Sequence, residues 1–168
     1  METDFRDAFI FSSENIKANH QGQLTEQQKT KMRDMRLYSS IGSLLGVVIL
    51  AVFMMYFLID LGKGLDSITL ISIEGLLAAI LILVCAYGIA RWYVFTDDIN
   101  IGHVAYVSGN TVVRSYRGGK SVLRHYKIIT DGMSWEISSE VAKRLETNQE
   151  YKLYYAQKTK FLLSIEAI

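Results

Sequence analysis

Few side chains in this sequence can do chemistry, and they are scattered. Glu74 is the only acidic residue in an apolar run from Ile68 to Phe95. An ionisable group set in such a run is a candidate for handling a proton or a cation, with a structural or interfacial role as the alternative. The three histidines, His20, His103 and His125, lie far apart. His103 and His125 could meet across a hairpin, but no Cys or carboxylate stands at ligand spacing, so no metal site is expected. The single cysteine, Cys85, lies within the same apolar run and reads as a small filler; it excludes an internal disulfide framework. No Ser or Cys occupies a nucleophile elbow and no carboxylate pair has a suggestive setting. Arg117-Gly-Gly-Lys120 lacks the spacing of a phosphate loop and reads as a hairpin tip. No catalytic residue and no cofactor is expected.

One stretch does concentrate charge. Between Thr111 and Thr130 there is no acidic residue, while Arg114, Tyr116, Arg117, Lys120, Arg124, His125, Tyr126 and Lys127 crowd two strand-like runs. Strand alternation puts about half of these on one face. Arg114, Tyr116, Arg117, Lys120, Arg124 and Lys127 are therefore candidate contacts for anionic headgroups or an acidic partner; the alternative is an edge strand guarded by cations. Nucleic acid is disfavoured, because the chain carries a net charge of only +1 and residues 97–168 only +2, from ten basic and eight acidic residues.

The elements that must position these residues divide into membrane and β parts. Ile41 to Ile59 is a run of 19 residues without a charge, close to the ~20 that cross a bilayer core. Ile68 to Phe95 is a second such run, broken only by Glu74 and Arg91. The predicted organisation is an arm over 1–23, a basic amphipathic helix over 24–38, transmembrane helices over 39–60 and 68–95 around an external loop at 61–67, and a cytoplasmic β domain over 97–168. Lys29, Lys31, Arg33 and Arg36 precede the first span, the loop has only Lys63, and Arg91 closes the second. The positive-inside rule then puts both termini in the cytoplasm and the chain in the inner membrane. Gly42 and Gly46 form a GxxxG motif, answered by Gly75 and Ala79 in the second span; such small residues let helices approach closely, within the hairpin or between protomers.

Thr25 and Gln28 have the spacing of a capping box, marking the start of the basic helix. Beyond Asp97, six short runs rich in β-branched and aromatic residues read as strands, with Ser138 or Ser139 capping a short helix between the fourth and fifth. The expected turns are Ser108-Gly-Asn110, Gly118-Gly119, Asp131-Gly132 and the Lys-Thr-Lys after Gln157. Alternation puts Met133, Trp135 and Ile137 on one face and Tyr151, Leu153 and Tyr155 on another, so these faces should meet with Val141 and Leu145 closing one end. The fold class expected is a membrane α + β protein: a two-helix transmembrane hairpin followed by a small antiparallel β-barrel-like domain with one short helix.

The stretch Asn19-His-Gln-Gly22-Gln-Leu24-Thr25-Glu-Gln-Gln28, an apolar hairpin and a β domain ending YKLYYAQKTKFLLSIE resemble the layout of uncharacterised small prokaryotic two-span membrane proteins. In architecture, though in no motif, the chain is also similar to NfeD-type proteins, which hang a small barrel from a membrane anchor. Neither resemblance implies an activity. The expected function is non-enzymatic: a membrane-anchored interaction module, an accessory or assembly subunit touching membrane lipids and a membrane-protein partner or a second copy of itself. The alternative is an oligomeric lipid-responsive or transport component that uses Glu74.

Overall fold

A computed structural model describes residues 8–61, 67–117, 124–146 and 149–168. The chain forms two compact units: Met1–Lys31 together with Asp98–Ile168, and Met32–Asp97.

The first unit is built on six strands: β1 Val104–Asn110, β2 Val112–Arg117, β3 Arg124–Thr130, β4 Met133–Ile137, β5 Glu150–Ala156 and β6 Leu162–Ala167. They do not close into the expected barrel. They make two separate antiparallel sheets of three strands, ordered β1-β5-β6 and β2-β3-β4. The cause lies at Ser108-Gly-Asn110, which was expected to turn the chain. Those residues belong to β1, and a single residue, Thr111, separates it from β2. One residue cannot make a hairpin loop, so the strand bends and changes sheet instead. Gly109 takes φ 157° at this corner, and the buried Thr111 hydroxyl lies 2.8 Å from that of Thr130.

Where the turn chemistry is local, the expected geometry forms. Asp131 and Gly132 both adopt positive φ, 47° and 75°, the signature of the tight turn that matches the twist of a hairpin. Ser138 caps helix α4, Ser139–Arg144, its Oγ accepting the Val141 N–H at 3.3 Å. The two sheets face each other over a core of Ile128, Trp135, Val141, Leu145, Tyr151, Leu153, Tyr155 and Ile165. Trp135 donates its indole N–H to the Lys160 carbonyl at 2.7 Å, and its ring centroid lies 5.6 Å from that of Tyr155.

Residues 8–20, expected as part of an arm, are built into this unit. A 3-10 turn at Ala8–Phe11 and helix α1, Ser13–His20, pack along β6, and Ile10 joins the core. A polar layer fastens the segment down. Asn19 donates to Ser164 Oγ at 2.6 Å, and Thr25 donates to Asn15 Oδ1 at 2.7 Å. The helix that follows, α2, begins with reciprocal bonds between Thr25 and Gln28: Oγ1 accepts one backbone N–H at 3.2 Å and Oε1 the other at 3.1 Å. Gln28 also donates to the Leu163 carbonyl, which leaves its amide buried and paired.

Helix α2 runs unbroken over Glu26–Leu61, so the basic amphipathic stretch and the first apolar run are one helix, and α3 covers Ser67–Ile101. Both are long and apolar enough to cross a membrane by length and composition. In the second unit they pack antiparallel. Half-buried positions recur every three or four residues, at Ser43, Val47, Leu50 and Met54 on α2 and at Ile73, Leu77, Leu81, Val84 and Gly88 on α3. That spacing is one narrow stripe of a helix. Arg36 locks one end, its guanidinium 4.2 Å from the Trp92 ring and donating to Thr96 Oγ1 at 2.9 Å.

Candidate functional site

The register of the β2-β3-β4 sheet sorts the basic hairpin. Val113, Ile128 and Trp135 are cross-strand partners on the core face. One residue along, Arg114, Lys127 and Glu136 form a row on the outer face, followed by the Tyr116 and His125 pair. The Tyr116 and His125 rings stack with centroids 5.5 Å apart, and the Lys127 ammonium lies 5.1 Å from the Tyr116 centroid. Tyr116 donates to Glu136 Oε1 at 2.6 Å. That bond to a carboxylate, then burial and the Glu136 charge, raise the phenol above its usual pKa. Arg124 is exposed and alternates onto the other face of β3. Lys120 lies outside the described residues; Arg117 is described as a backbone position in β2, opposite Arg124. Of the six expected contacts, Arg114, Tyr116 and Lys127 share a surface, and Glu136 joins them from a strand that was not part of the basic stretch.

The GxxxG motif does not pack the hairpin. A Cβ built on Gly42, Gly46 or Gly75 would have no neighbour within 4 Å, and Ala79 is exposed. The close approach is one residue over, where a Cβ on Gly88 would stand 3.2 Å from Ser43 Cβ. Each residue turns the helix by about 100°, so once Ser43 faces α3 its glycine neighbours face away. Glu74 is also exposed, beside the half-buried Ile73. Cys85 lines an apolar cleft of about 570 Å³ between the helices, with Ser43, Val47, Val84 and Gly88.

A third group was not legible in the sequence. On the outer face of the β1-β5-β6 sheet the register aligns Ser108, Lys152 and Glu166 in one row, and Tyr106, Tyr154 and Ser164 in the next. His20, at the end of α1, brings Nε2 to 2.9 Å from Glu166 Oε2, and Tyr154 donates to the same carboxylate at 2.9 Å. Lys152 lies 4.2 Å from the Tyr106 ring centroid. His20, Tyr106, Ser108, Lys152 and Glu166 line an open pocket of about 350 Å³. Burial pushes Glu166 up, but the hydrogen bonds from His20 and Tyr154 and the charges of His20 and Lys152 outweigh it, leaving the carboxyl below its usual range. Burial first, then the bond to Glu166, pushes the Tyr154 phenol far above its usual value. These groups neutralise one another and fasten α1 to the sheet. The one available signal was the polar Asn19-His20 pair at the end of a short amphipathic stretch.

His103 precedes β1 and His125 sits in the other sheet, so the structure does not pair them. Among the described residues, no three His, Cys, Asp or Glu side chains gather as a metal site. Comparison with protein-family models, with curated proteins and with solved structures finds no match to this chain.

Proposed function

We propose that this chain is an integral protein of the inner membrane whose two-helix hairpin holds a cytoplasmic β domain, and that it acts as a non-enzymatic interaction module, an accessory or assembly subunit of a membrane complex. The observation that carries this reading is the exposure of the two long helices. They touch along one stripe, and among the described residues large apolar side chains off it are exposed: Leu44 is 65% exposed, Met55 67% and Leu83 69%. Contiguous apolar surface of that extent is untenable in water and ordinary in lipid. The cations before α2's apolar run, against the single Lys63 between the spans, orient the hairpin with both termini inside. The outer face with Arg114, Tyr116 and Lys127 is the contact surface that this reading uses.

Purification of the full chain from membranes in mild detergent, followed by crosslinking, tests it. A stoichiometric membrane-protein partner or a self-associated form is expected; a monomer with no partner rejects it. One observation favours a second reading, an oligomeric transport or lipid-responsive component. Glu74 faces away from the helix contact and so is open to another protomer. Under that reading Glu74→Gln abolishes self-association or ion flux, and under the first it changes neither.

A further inference from the structure

The outer face of the β2–β3 ladder contains an unfavourable pair: Arg114 stands directly opposite Lys127. Like charges facing each other across an antiparallel pair destabilise it. Among the described residues the outer face holds one acid to offset this, Glu136 beside Lys127, and its carboxylate already accepts the Tyr116 hydroxyl. Among the described residues Arg114 has no ion-pair partner. The hairpin thus keeps a repulsion within its own ladder that an external anion would relieve. Next to the cations is a stacked Tyr116–His125 pair, and a tyrosine has the apolar body and polar tip that suit headgroup depth.

We infer that the outer face of the β2-β3-β4 sheet docks on anionic phospholipid headgroups of the membrane that α2 and α3 span. The inference rests on the membrane-anchor reading above and names the partner of the surface that reading uses. Lipid is favoured over an acidic protein by tethering. A surface held in the same assembly has a standing effective concentration, so weak contacts are enough, and each cation near an anionic leaflet strengthens docking roughly fivefold. A free protein partner would need a larger complementary interface than Arg114, Lys127 and one tyrosine provide.

The full chain, reconstituted in nanodiscs of phosphatidylcholine alone or enriched in phosphatidylglycerol, provides the test. Hydrogen–deuterium exchange over residues 112–130 is expected to slow several-fold in the anionic discs, and molar salt should reverse this because it shortens the screening length. The double variant Arg114→Gln, Lys127→Gln should exchange at the same rate in both discs, while residues 151–156 stay as protected as in the parent, which shows the domain still folded. Equal exchange of the parent chain in the two discs overturns the inference. Protection by added polyglutamate but not by anionic lipid would assign the face to an acidic protein; no response to either would leave the cations as guards of the β2 edge. Failure to enter either disc would reject the anchor itself, an outcome separate from these.

Discussion

Trp135 fills the space between the two sheets with an indole that is 8% exposed and hydrogen-bonded to the Lys160 carbonyl. Trp135→Ala should cost about 3–5 kcal/mol, a large part of the ~5–15 kcal/mol that holds a domain folded. Limited proteolysis should then cut the variant beyond residue 97 while, under the proposed anchor reading, the helices still insert, since lipid and not this core would support them. A variant as resistant as the parent would put the indole on the surface. The Glu166 cluster supplies a pH signature. Its carboxyl is held below the ordinary value of 4.5, so its contribution is complete above that value and is lost as pH falls through the lowered one. Tyr154 is raised above 10.0, so its contribution is complete below pH 10 and is lost as pH rises toward the raised value. Glu166→Gln should flatten the acid limb of a stability-against-pH curve, and Tyr154→Phe the alkaline limb. Unchanged limbs would show that α1 is held without the Glu166 cluster, by bonds such as those of Asn19 and Asn15.

At the scale of elements, the helix contact makes a sharp distinction among glycines. A side chain at Gly88 meets Ser43 at 3.2 Å, whereas Gly42 and Gly46 have open space. Gly88→Val should therefore spread the hairpin and lower its melting temperature in detergent, and Gly46→Val should leave an isolated protomer's stability nearly unchanged. If Gly46→Val instead breaks up an oligomer seen by size in detergent, the GxxxG face joins protomers. Elements set by neighbours in sequence could be read in advance. The Thr25–Gln28 capping box, the Ser138 cap and the Asp131-Gly132 turn each need only residues one to three apart. Ser108-Gly-Asn110 has equally good turn composition, yet it stays in strand β1, because whether the chain reverses there depends on which strand lies alongside. That strand is β5, some forty residues later by the pairing of Asn110 with Glu150.

For the whole molecule, orientation decides which surfaces can meet cytoplasmic partners. With Cys85 replaced, a cysteine at Gly64 should be labelled by an impermeant reagent in intact cells, and one at Ser134 only after the membrane is opened. The reverse pattern would overturn the topology and move the β domain, with its basic face, to the outside.

The sequence by itself determined the two apolar runs, their charge asymmetry, the β character of the last seventy residues and the core faces around Trp135 and Leu153. All of these follow from composition and from periods of two or near four within one element, which local chemistry sets. Only the tertiary structure decided that β1 and β2 part into different sheets and that Ser43 packs on Gly88, so that the glycine motif faces outward. It also decided that three of the basic hairpin's residues share a face with Glu136, and that His20 reaches Glu166 across 146 positions of chain. Each of these is a choice among distant partners with similar local propensities, and it is settled by which arrangement buries the common core.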